Sequence, residues 1–196
     1  MAFSADKLRW INKPKEFSVS DKEIRIRTEP DTDLWQRTYY KFRRNTAHML
    51  VMPTEAPFFT FSVKTVRNGT GLFDQCGVVI YQDEENWFKG SMEYENERFQ
   101  NLGSVVTNKG YSDFGTGAVN PALTTMYYRL SRREGDFFLE TSRTGADYTP
   151  ARIFHLIKGE GAIRLGIYAC SPSKGSSCEA VFTEMALGEC RWKAWE

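Results

Sequence analysis

The chain has 196 residues, 14% of them aromatic, a length that supports one domain with a substantial core. Lys and Arg number 26 against 25 Asp and Glu, a formal charge of +1, so bulk electrostatics favours neither nucleic acid nor an anionic membrane as partner. Residues 1–7 lack the apolar run of a signal peptide, and no window is long and apolar enough to span a bilayer, so the expected location is cytoplasmic.

In chain order, residues 10–14 read as an edge segment whose pairing Pro14 limits. Residues 23–27 alternate cleanly, with Ile24 and Ile26 inward. Residues 29–36 form a loop by composition, and that loop carries Trp35. A short buried strand follows at 49–52 and a long one at 58–66, with Phe59, Phe61 and Val63 on one side. Residues 75–81 and 87–93 then make a β-hairpin joined by the acidic run 82–86. Residues 95–98 are turn-like, 104–107 return as a strand, and 109–122 form the longest loop, rich in Gly, Ser, Asp and Asn. A second hairpin joins 127–132 to 137–141 around Glu134 and Gly135. After a turn at 142–148, strands are expected at 153–156, 163–169 and 180–185. No window sustains a 3.6-residue period, so helices are expected to be few and short. About a dozen regularly spaced strands predict an all-β fold, an antiparallel two-sheet β-sandwich or jelly roll, formed as one domain over residues 1–196.

The central hairpin carries the most informative pattern. Strand side chains alternate between faces, so Cys76, Val78, Ile80, Phe88, Gly90 and Met92 fall on a core face. With Tyr81 opposite Trp87, the other face collects Gln75, Gly77, Val79 and Tyr81 beside Trp87, Lys89, Ser91 and Glu93. Aromatics mixed with a cation, an anion and an amide are the makings of a polar-ligand site. Arg129 and Tyr168 alternate with apolar neighbours, so they too point away from the sandwich interior. Trp35 is expected at the rim. The ligand-binding set expected from sequence is therefore Trp35, Gln75, Tyr81, Trp87, Lys89, Glu93, Arg129 and Tyr168. Its plain alternative is a solvated sheet face with a Lys–Glu cross-strand pair.

Other chemistry is weakly supported. Cys76, Cys170, Cys178 and Cys190 follow no metal-ligand spacing and are expected as unpaired thiols. Two histidines, His48 and His155, cannot supply a three-histidine zinc site. Asp31 and Asp33 read as turn formers, because Ca²⁺ needs six to eight oxygens. Gly115-Thr116-Gly117 lacks the strand–helix unit of a dinucleotide loop. No catalytic residue, metal or cofactor is expected.

Several short runs, taken together, resemble a known family: Asp33-Leu34-Trp35-Gln36, Phe73-Asp74-Gln75-Cys76-Gly77, Asn86-Trp87-Phe88-Lys89, Gly103-Ser104-Val105-Val106, Tyr128-Arg129-Leu130-Ser131-Arg132 and Gly166-Ile167-Tyr168-Ala169-Cys170-Ser171-Pro172. They are similar to the concanavalin A-like family that includes the "regulation of enolase" protein. The resemblance implies a jelly roll with one convex and one concave sheet, in a group whose wider relatives bind sugars, cleave glycans or accompany glycosidases. Function carried across a fold is analogy. Three functions stay open. The first is a non-catalytic module taking a carbohydrate or similar polar ligand on the concave sheet. The second is a protein-interaction or regulatory role on a metabolic enzyme such as enolase. The third is glycan cleavage by Glu93, Glu95 and Glu97, which needs paired carboxyl groups on one intact strand.

Overall fold

The structure is a computed structural model and describes residues 3–193. Sixteen strands follow one another: β1 (Arg9–Ile11), β2 (Glu16–Val19), β3 (Glu23–Arg27), β4 (Leu34–Gln36), β5 (Arg43–Asn45), β6 (His48–Thr54), β7 (Phe58–Asn68), β8 (Gln75–Asp83), β9 (Asn86–Tyr94), β10 (Gln100–Asn108), β11 (Tyr111–Val119), β12 (Thr125–Arg133), β13 (Asp136–Ser142), β14 (Thr149–His155), β15 (Ile163–Cys170) and β16 (Glu179–Gly188). Among the described residues the helical content is one 3₁₀ turn, Ala5–Lys7, and no helix is long and apolar enough to cross a membrane.

Two seven-stranded antiparallel sheets make the body. The first has the order β1-β6-β15-β8-β9-β10-β11 and the second β14-β13-β12-β7-β16-β3-β2, while β4 and β5 pair only with each other. The predicted all-β antiparallel sandwich is the observed fold. Facing side chains from both sheets fill the space between, among them Ile80, Phe88 and Met92 from the first and Phe61, Tyr128 and Leu130 from the second. Burying each such side chain contributes about 1.5–3 kcal/mol.

The central hairpin has the register read from its alternation. Tyr81 lies opposite Trp87, Val79 opposite Lys89 and Gln75 opposite Glu93. Its turn is tighter than the predicted five-residue connection, because Asp83 Oδ1 accepts from the Glu85 N–H at 2.9 Å and from the Asn86 amide at 2.7 Å. An aspartate folding back on the following backbone closes a turn without further help.

Strands β2 and β5 are not expected from sequence and β14 begins earlier than expected, and two further differences shape the outer face of the first sheet. Residues 111–119, taken as part of the longest loop, pair with β10 along their whole length. Their Gly and Asp content lowers strand propensity, but an edge position with one partner tolerates it. Residues 29–36, taken as loop throughout, end in β4, which with β5 forms a small hairpin laid over the first sheet. Leu34 and Ala47 beside it bury Met49, Val51, Val79, Tyr81, Trp87, Val105 and Tyr168 in a second apolar cluster. The outer face of the first sheet is thus partly a core of its own.

Candidate functional site

Lys89, Ser91 and Glu93 alternate along β9 and so share the outer face of the first sheet. Pairing brings Gln75 opposite Glu93, and β15 on the other side of β8 sets Tyr168 opposite Gly77. A chain of hydrogen bonds joins them. The Lys89 ammonium donates to Gln75 Oε1 at 3.0 Å, and the Gln75 amide donates to Glu93 Oε2 at 2.6 Å. Tyr168 Oη lies 2.9 Å from Gln75 Oε1 and 2.7 Å from Ser91 Oγ. From above, Asp33 brings Oδ1 to 3.6 Å from Lys89 Nζ. The loop holds Asp33 there because its carbonyl accepts from the Thr46 and Ala47 amides at 2.8 and 2.9 Å.

Over this polar floor stands an aromatic wall. Trp35, whose indole N–H donates to the Thr38 carbonyl at 3.1 Å, meets Tyr40 at 5.6 Å and Phe114 at 6.5 Å between centroids, both edge-on. Phe42 stacks on Tyr40 at 5.6 Å. The walls enclose a cavity of about 310 Å³ bounded also by Arg44, Phe73, Val105 and Pro172. That size and mixture match small-ligand sites, with apolar rings for contact area and few convergent polar groups for orientation. A cleft lined by Ser91, Asn101 and Ser104 continues from its floor.

The electrostatics follow from burial. Burial pushes the Glu93 carboxyl up to about 7, with Asp33 and Glu95 adding to the rise and Lys89 and Gln75 opposing it. Burial works against the Lys89 ammonium, but Asp33, Cys170 and Glu93 outweigh it and raise its pKa above the ordinary lysine value. Desolvation also lifts the Tyr168 phenol well above its usual range, so it stays a neutral hydrogen-bonding group.

Of the eight residues expected from sequence, Trp35, Gln75, Lys89 and Glu93 line the cavity. Tyr168 is fully buried beneath it and supports Gln75. Trp87 and Tyr81 require correction. They lie on the predicted face, but the β4–β5 hairpin covers them. Trp87 is 0% exposed, its indole N–H donating to the Glu84 carbonyl at 3.2 Å, and Tyr81 Oη accepts from Asn45 at 2.9 Å. Neither offers a stacking surface. Arg129 also requires correction, because β12 belongs to the second sheet. There it holds Glu140 in a two-pronged pair at 2.7 and 2.6 Å. The alignment of Glu93, Glu95 and Glu97 that the third function needs does not form, in keeping with the turn-like reading of residues 95–98. β9 ends at Tyr94, Glu95 accepts from Asn101 at 2.7 Å, and Glu97 is exposed in the following turn.

Sequence reasoning missed Tyr40, Phe42, Phe73 and Phe114, and took Asp33 only as a turn former. The run Tyr39-Tyr40-Lys41-Phe42 is the one available signal, since clustered aromatics in a polar segment are unusual. Among the described residues no group of three or more His, Cys, Asp and Glu is arranged to hold a metal. His48 is structural, bridging Asn12 and Glu29.

These features define a concanavalin A-like two-sheet sandwich with an aromatic-walled polar cavity on the outer face of one sheet. Residues 10–190 match the model of the family described as "Protein of unknown function (DUF1349)", and the chain belongs to that family. It is 27% identical over 178 residues to "Regulation of enolase protein 1" of Saccharomyces cerevisiae, a match covering 91% of this chain and 87% of that one. Among solved structures, a functionally unknown protein from Saccharomyces cerevisiae superposes with a TM-score of 0.87 at 24% identity, covering 95% of this chain and 98% of that one. The GH43 protein BlXynB from Bacillus licheniformis superposes with a TM-score of 0.73 at 16% identity, over 93% of this chain and 37% of that one. The chain therefore spans little more than a third of that glycoside hydrolase, and the likeness is one of fold.

Proposed function

We propose that this protein is a non-catalytic binding module that takes a carbohydrate or similar polar ligand in the cavity over Lys89, Gln75 and Glu93. The observation that carries this is the hydrogen-bonded row Lys89–Gln75–Glu93, closed by Asp33, at the floor of an aromatic-walled cavity. Rings contact the apolar face of a sugar while fixed charged and amide groups read its hydroxyls. The glycoside hydrolase neighbour supports the reading by fold alone. The four thiols are free and suit a reducing, cytoplasmic setting.

The test is a glycan array followed by titration calorimetry on the strongest hit. Trp35→Ala and Lys89→Met should each weaken binding about tenfold or more, as loss of a buried anchor does. No saccharide binding at millimolar concentration, or affinity indifferent to both substitutions, would rule the proposal out.

A second reading has one observation of its own. At the tip of the β4–β5 hairpin, Tyr39 is 87% and Tyr40 59% exposed, and such rings serve as anchors in protein interfaces. The similarity to a protein named for regulation of enolase makes enolase the partner to try. Biolayer interferometry with purified enolase and the Tyr39→Ser variant distinguishes this role from sugar binding.

A further inference from the structure

Among the described residues Glu93 is the cavity carboxylate that makes no salt bridge, and that gap indicates what the ligand brings. Two carboxylates, Asp33 and Glu93, face the space with one ammonium, Lys89, between them. Lys89 is committed to Gln75 Oε1 at 3.0 Å and to Asp33 at 3.6 Å. Among the described residues, the one hydrogen bond to the Glu93 carboxylate comes through Oε2 from the neutral amide of Gln75. The other nearby cation, Arg44, is tied to Asp31 by contacts of 2.8 and 3.0 Å. Glu93 is therefore a half-buried carboxylate that Lys89 reaches only through space, with no ion pair of its own and a second oxygen that accepts no hydrogen bond among the described residues. A partly desolvated charge in that state favours a proton or a counter-charge. The wall above it consists of aromatic rings, whose faces attract cations as well as the C–H face of a sugar.

We infer that the ligand of this cavity is an amino sugar whose ammonium group completes the Glu93 carboxylate while its ring lies against Trp35 and Tyr40. This rests on the carbohydrate-binding proposal and narrows it. A neutral sugar offers Glu93 hydroxyl donors but no counter-charge, and an acidic sugar sets a third carboxylate against Asp33 and Glu93. The groups facing Glu93 are Lys89 from β9 itself, Asp33 from the overlying loop, Glu95 after the strand end, and Gln75 and Tyr168 from β8 and β15. Because burial already holds Glu93 largely protonated below neutrality, an arriving ammonium displaces that proton.

Three tetrasaccharides of the same linkage separate the possibilities: one of glucosamine, one of its N-acetylated form and one of glucose. They are titrated into the wild-type protein near pH 6 in two buffers of different ionisation heat. The glucosamine chain should bind about tenfold or more tighter than the glucose chain, the scale of a hydrogen bond to a charged group. Its binding alone should release about one proton, as linkage requires when ligand charge replaces the bound proton. Glu93→Gln should bring the glucosamine-to-glucose affinity ratio to within about twofold. Equal affinities without proton release would overturn the ammonium inference and leave the carbohydrate proposal standing. Lysine amide binding as tightly as the glucosamine chain would overturn the sugar part of the inference. Binding of none of these compounds would overturn the inference, and an empty glycan array would overturn the carbohydrate proposal as well.

Discussion

Gln75 sets the chemistry of the cavity because its amide is fully used and can point only one way. Its oxygen accepts from Lys89 and Tyr168, and its nitrogen donates to Glu93 and to the Phe73 carbonyl at 3.1 Å. A lysine has only donors and an ionised carboxylate only acceptors, so reversing the amide would break both contacts. Gln75 thus bridges the Lys89 ammonium and the Glu93 carboxylate and holds both in place, while the Lys89 charge still acts on Glu93 through space. The consequence is a measurable pH dependence. Glu93 has an ordinary value of 4.5 and is pushed up to about 7 by burial, with Asp33 and Glu95 adding. A raised folded-state pKa means that the native protein binds the proton more tightly than the unfolded chain. The stabilisation this gives is complete below about pH 4.5 and is lost as pH rises to about 7. Denaturant melts at pH 5 and 8 should show wild type losing on the order of 2–3 kcal/mol more than Glu93→Gln. Parallel losses in the two proteins would mean that Glu93 ionises freely in the fold.

At the scale of elements, the β4–β5 hairpin turns a sheet face into a cavity. It has only three residue pairs, so its position comes from outside it. The Gln36 N–H donates to Ser112 Oγ at 2.9 Å. The Arg37 guanidinium donates to the Lys109 and Gly110 carbonyls at 3.2 Å and to Glu85 at 2.9 Å. Arg37, Tyr39 and Lys41 all have φ between 52° and 62°, a conformation costly for residues with a side chain, and the anchoring contacts offset that cost. Gly110, buried beneath Arg37, is the weak point. Its φ is +73°, and a Cβ added there would run into the Arg37 guanidinium. Gly110→Ala should therefore destabilise by about 1–2 kcal/mol and speed amide exchange in residues 34–45 while the sandwich core keeps its protection. Unchanged exchange in that segment would show that Arg37 does not hold the hairpin. None of this is legible locally, because residues 36 and 37 bond to positions about 48 to 76 residues later. By contrast, the central hairpin is legible, since period-two alternation and a short acidic turn fix which residues oppose each other.

Across the whole molecule, alternation reports which way a side chain points within its strand and nothing about which sheet the strand joins. Tyr168 and Arg129 look alike in sequence, each polar between apolar neighbours. β15 pairs with β8, which places Tyr168 under the cavity, while β12 pairs with β7 in the opposite sheet. The same limit explains Trp87. Its face was readable, but the 0% exposure comes from a hairpin about fifty residues earlier in the chain that roofs it with Leu34 and Ala47. Two substitutions then separate packing from recognition. Trp87→Ala should cost about 3–5 kcal/mol of stability, as emptying a fully buried aromatic site does, and lower the melting temperature sharply. Arg129→Ala breaks a pair whose side chains are 19% and 11% exposed and removes the contact of its guanidinium 4.2 Å over the Tyr148 ring. Half-buried pairs of this kind contribute about 1 kcal/mol, so its melting temperature should fall by only a few degrees. Ligand affinity measured well below that melt should match wild type, because the second sheet lies on the far side of the core from Lys89 and Glu93. Loss of affinity in Arg129→Ala with its fold intact would show that the second sheet contributes to recognition and that the cavity under the β4–β5 hairpin is not the whole site.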